Sequence, residues 1–82
     1  MDAVYVLIER DLADDDVTVV GVVDSVENSE KFMGEYYGSY ELLKHEDIRD
    51  SGIEWVKTIN IEFDNTVFSL EVSLEWFELN KC

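Results

Sequence analysis

The side chains best able to do chemistry in this chain are its carboxylates, twenty Asp and Glu against six Lys and Arg. There is one histidine, His45, and one cysteine, Cys82. A nucleophile needs a base within hydrogen-bond reach. Ser25, Ser39, Ser51, Ser69 and Ser73 sit in no nucleophile-elbow context, and His45, between Lys44 and Glu46, reads as a surface residue or a minor hydrogen-bond donor. A catalytic carboxylate pair needs a cleft apolar enough to raise one pKa, and 82 residues leave little volume for one. No Cys/His cluster suits zinc. Asp14-Asp15-Asp16 lacks the alternating ligands, the glycine and the distal glutamate of a calcium loop, so it offers adventitious cation binding at most. No Gly-rich phosphate loop is present. The expectation is a non-enzymatic protein with no cofactor and no resident metal.

What the carboxylates could do is act together. Glu71 and Glu75 fall on one face of a strand, about 13 Å apart at about 3.3 Å per residue. Ser69 and Ser73 interleave with them, Glu62 can join from the neighbouring strand, and Asp14, Asp15 and Asp16 crowd one loop. Carboxylates fixed on a rigid sheet can stand in for the phosphates that a nucleic-acid-binding groove meets with Lys and Arg. These six acids are the expected partner-binding residues. The formal charge of −14 repels DNA, RNA and anionic membranes, and the few basic residues are scattered singly. The expected partner is therefore a basic, nucleic-acid-binding protein, met quickly and with strong salt dependence. A second reading gives the acids to solubility alone, in a structural module that self-associates through an aromatic homodimer face drawn from Tyr36, Tyr37, Tyr40, Trp55 and Phe77. A third, a binder of small signalling nucleotides, fits the acidity poorly.

The elements that must position these groups are legible in part. Eighty-two residues make one domain, spanning 1–82, and 46% apolar residues are enough for a core in spite of the charge. Val4 to Ile8 reads as a strand with both faces covered, Glu9 to Asp16 as a turn, and Val17 to Val23 as the antiparallel partner. Gly21 marks a bulge or a close contact. Asp24 or Ser25 caps a helix over Ser25 to Tyr37, with Val26, Ser29, Met33, Tyr36 or Tyr37, and Tyr40 as its apolar stripe and Gly38 as its terminator. Tyr40 to Lys44 is open between strand and helix, and Glu46 to Asp50 reads as a helical turn stopped at Ser51-Gly52. Trp55 to Phe63 and Phe68 to Trp76 alternate with period two about Asp64-Asn65-Thr66, a hairpin with one buried and one wet face. The expected fold class is α+β, an antiparallel sheet of four or five strands packed on one helix in the order ββ-α-(short element)-ββ. A lone cysteine, no basic leader and no apolar run near the roughly 18 residues of a membrane span lead to the expectation of a cytoplasmic protein.

Several stretches together resemble small acidic accessory proteins of phages and mobile elements of Gram-positive bacteria. They are Val4-Tyr5-Val6-Leu7-Ile8-Glu9 followed by Val20-Gly21-Val22-Val23-Asp24-Ser25-Val26-Glu27, the segment Glu46 to Trp55, and the ending Leu74-Glu75-Trp76-Phe77-Glu78-Leu79-Asn80. The motifs are structural and cover about half the chain. Ser29 and Gly34 depart from the Ala-rich helix usual in such proteins. The resemblance implies a source and a fold more than a job, with the bacterial-host cytoplasm as the place of action. Small acidic phage products often disable host defences, as anti-CRISPR proteins do, and some of them act as DNA mimics. The resemblance supplies no site residue.

Overall fold

The computed structural model describes residues 3–78. Cys82 and the Leu79-Asn80 end of the last motif lie outside them. The order is β1 (Ala3–Asp11), β2 (Val17–Val23), α1 (Val26–Tyr37), β3 (Glu41–Asp50), β4 (Ile53–Phe63) and β5 (Thr66–Glu78). The five strands form one antiparallel sheet in the spatial order β2-β1-β5-β4-β3, with the helix on one face. The class is α+β as expected, and the anticipated order is met only in part. The short element is a ten-residue strand, so Glu46 to Asp50 is extended rather than a helical turn. Ser51-Gly52 is the β3–β4 turn, both residues at positive φ.

Register assigns each side chain to a face. Tyr5 and Leu7 of β1, Trp55, Lys57 and Ile59 of β4, and Leu70, Val72 and Leu74 of β5 point toward the helix. Leu7, Met33, Ile59, Val72 and Leu74 are fully buried there. The β4–β5 hairpin turns through Asp64-Asn65, with φ of 54° and 65°, the paired left-handed conformation that matches strand twist in a two-residue loop. The remaining face is covered by no described element. Val4, Val6 and Ile8 lie on it, so β1 is not covered on both sides, and β1 runs on to Asp11 through part of the expected turn.

Helix α1 begins where Ser25 Oγ accepts from the Asn28 N–H at 3.1 Å, and it ends at Gly38, φ 66°. Asn28 donates to the Asp24 side chain, so both candidate caps hold the first turn. Ser29 is buried with its hydroxyl donating to the Val26 carbonyl. Gly21 is both things its position suggested. The β1–β2 register slips between Leu7 and Ile8, and a Cβ on Gly21 would come within 2.5 Å of the Phe32 ring.

Twelve helical residues cover about 18 Å, whereas the thirteen residues of β5 extend about 43 Å. The helix cannot roof the whole sheet. At the end carrying the β1–β2 and β4–β5 turns the inward face emerges from under it, and Phe63 and Phe68 are 71% and 40% exposed there, not buried as the alternation suggested. Trp76, near the other end, is likewise partly exposed.

Candidate functional site

The acids expected to act together are distributed by the register. Glu71 and Glu75 stand on the uncovered face, half-buried, opposite Arg10 and Val6 of β1. Thr58 flanks Glu71 on the β4 side, and Ser73 Oγ donates to Glu75 at 3.4 Å. Glu62 is exposed in the same outward series of β4 as Asn60 and Thr58. Asp14, Asp15 and Asp16 are exposed in the β1–β2 turn, off the face but at the sheet end where Glu62 lies. That turn is built by Asp11, whose Oδ1 accepts from the N–H groups of Ala13 and Asp14. The structure therefore brings Glu62, Glu71 and Glu75 onto one face and sets the Asp loop at its end.

The uncovered face is divided. Its β2–β1 half carries Val17, Val19, Val22, Val4, Val6 and Ile8, with the three β2 valines 58–59% exposed. Its β5–β4–β3 half carries the glutamates with Ser69, Ser73, Thr58 and Asn60. The aromatic dimer face is not formed. Trp55 is 3% exposed, Tyr37 and Tyr40 are partly buried, and Phe77 lies on the face opposite Tyr36.

Helix α1 ends in a ladder of rings. Phe32 stacks on Tyr36 at 5.3 Å, Tyr36 meets Tyr37 edge-on at 4.9 Å, and Tyr37 meets Tyr40 edge-on at 6.4 Å. The Tyr37 hydroxyl donates to Glu9 Oε1 at 2.7 Å. Burial first, and then this bond to a carboxylate, push the Tyr37 pKa well above the ordinary tyrosine range. Burial and the nearby Glu30 charge raise that of Tyr40.

A polar cluster that sequence reasoning missed lies between α1, β3 and β4. Lys57 is 5% exposed, with Nζ 2.9 Å from His45 Nδ1, 3.3 Å from Glu30 Oε2 and 4.6 Å from the centre of the Trp55 ring. An ammonium can only donate, so His45 Nδ1 accepts and its proton sits on Nε2, which meets Asp47 Oδ1 at 3.1 Å. His45 is thus an exposed strand residue and hydrogen-bond donor, as expected, and it also links Lys57 to β3. The signal was present, because Lys57 falls between Trp55 and Ile59 in the inward series. At this burial the lysine ties helix to sheet. The Trp55 indole N–H is buried with no acceptor among the described residues.

Among the described residues no group of three or more His, Cys, Asp or Glu is placed to hold a metal. No helix among them is long and apolar enough to cross a membrane. The chain matches no family model, and no curated protein or solved structure is detectably similar to it.

Proposed function

We propose that this chain is a non-enzymatic binding protein that occupies a basic, nucleic-acid-binding surface on a bacterial host protein. In this reading it is a stoichiometric inhibitor encoded by a phage or mobile element, and it works in the host cytoplasm. The observation that carries the reading is the placement of Glu62, Glu71 and Glu75 on an uncovered sheet face with the Asp14–Asp16 turn at its end. Three of the six basic residues are already engaged or opposed within the fold: Lys57 is buried against Glu30, Lys44 is paired with Glu46, and Arg10 faces Glu71 across the sheet. Little positive charge is left to blunt the field of the acids.

The test is capture from a bacterial lysate with the tagged chain, at low and high salt and with duplex DNA as competitor. A nucleic-acid-handling protein should be retained at low salt and released by salt or DNA. Glu71→Lys/Glu75→Lys combined with Asn at 14, 15 and 16 should abolish its retention, whereas one reversal should cost little. Normal retention by the combined variant would sink the acidic-surface mechanism.

A second reading, self-association, is favoured by one observation. Strand β2 is a sheet edge with no charged residue, whereas seven of the ten residues of the other edge, β3, are ionisable and its register slips twice. Against it, a two-fold β2–β2 pairing centred on Val20 would set Asp16 of each copy against Asp24 of the other. Light scattering separates the two readings: a dimer held by valines persists in high salt.

A further inference from the structure

Where α1 stops short, a cleft of about 470 Å³ opens on the helix side of the sheet, within the size range of ligand pockets. Its walls are the rings of Tyr36, Phe63 and Phe68, and its inward-facing carboxylates are Glu9 and Asp11, over a floor of Leu70. The inward series of β1 explains the composition: Tyr5 and Leu7 lie beneath the helix, and Glu9 and Asp11 follow once its cover is ending. Among the described residues no Lys or Arg lines the cleft, and neither Glu9 nor Asp11 is in an ion pair. The Tyr37 hydroxyl takes one Glu9 oxygen and leaves the other. Tyr36 is held by the ring ladder, so that wall is formed before anything binds.

Aromatic faces and carboxylates around one opening attract an organic cation. The planar guanidinium suits both, since it stacks on rings and forks to carboxylates. We propose that the cleft is a socket for an arginine side chain presented by the basic partner. The source of that arginine rests on the acidic-surface reading. The socket adds a fixed anchor on the helix side, near the same sheet end as Glu62 and the Asp14–Asp16 turn.

The experiment titrates the whole chain with N-acetyl-arginine amide at constant ionic strength, following the ring resonances of Tyr36, Phe63 and Phe68 by NMR. N-acetyl-citrulline amide, the neutral near-isostere, is the control. Saturable shifts at these rings with arginine, and several-fold weaker ones with citrulline, are expected. Glu9→Gln, which keeps an oxygen for Tyr37, should weaken arginine binding about three- to tenfold. Equal response to citrulline, shifts confined to Glu71, Glu75 or the Asp loop, or no saturable shift at all would each overturn the socket. Should a variant fail to fold, the comparison of the two ligands on the native chain still decides. Lysate capture is independent: it can succeed while the socket fails, and arginine can seat in the cleft of a chain that captures nothing.

Discussion

At the scale of single residues, Tyr37 is the side chain whose ionisation the fold changes most clearly. Its folded pKa lies above the unfolded value of about 10, so above that pH the native state holds a proton that the unfolded chain has lost. The stabilisation is therefore fully present below about pH 10 and declines as the pH climbs past it toward the folded pKa. Tyr37→Phe removes the bond to Glu9 and should cost about 1 kcal/mol at neutral pH. Urea unfolding of both chains across a pH series checks this. The gap between them should narrow above about pH 10, and a constant gap would show that the hydroxyl is not protected as described.

At the scale of elements, β3 needs explaining, because all ten of its residues are exposed. Backbone pairing with β4 holds it, and Lys57 adds a tie from β4 to His45 on β3 and Glu30 on α1. Lys57→Ala removes the stem packed beside Trp55 and the donor to His45, and should cost about 2 kcal/mol. Lys57→Met keeps the stem but leaves the half-exposed Glu30 without its ion-pair partner and His45 Nδ1 without its donor, so it should cost about 1 kcal/mol. Native-state hydrogen exchange is the measurement. β3 amides should lose more protection than β1 amides in Lys57→Ala, and equal losses would remove the tie.

The same strand shows what a sequence can and cannot disclose. Trp55 to Phe63 and Phe68 to Trp76 alternate because one face is buried along most of their length, and that hairpin was readable with its turn. The helix was readable from its cap, its stripe and Gly38. In β3 neither face is buried, so Glu41 to Asp50 carries no periodicity and its charges resembled a helical turn. Glu71 and Glu75 could be paired by spacing alone. The cleft draws residues from β1, α1, β4 and β5, and only the topology brings Glu9 beside Phe63 and Phe68. Their exposure follows from the helix being shorter than the sheet, a mismatch that no local pattern states.

At the scale of the whole molecule, a charge of −14 spread over dimensions of 45 × 23 × 21 Å repels itself. Raising NaCl from about 10 mM to about 150 mM shortens the screening length from roughly 30 Å to roughly 8 Å. The melting temperature should rise by a few degrees, a circular-dichroism measurement, while capture of a basic partner weakens over the same range. Salt thus acts with opposite sign on fold and complex. A flat melting temperature would mean that the repulsion is already relieved in the native chain.

The sheet order has a mechanical corollary. Ala3 pairs with Glu78, so the two ends of the described chain lie side by side, on the central strand β5 and its neighbour β1. Tension applied between those ends acts across the strands rather than along them, and it opens the β1–β5 ladder one pair at a time. The seam that joins the β1–β2 hairpin to β3–β4–β5 is thus the first to be loaded. A domain whose sheet resists shear along its full length is, from its termini, a zipper pulled at its open end.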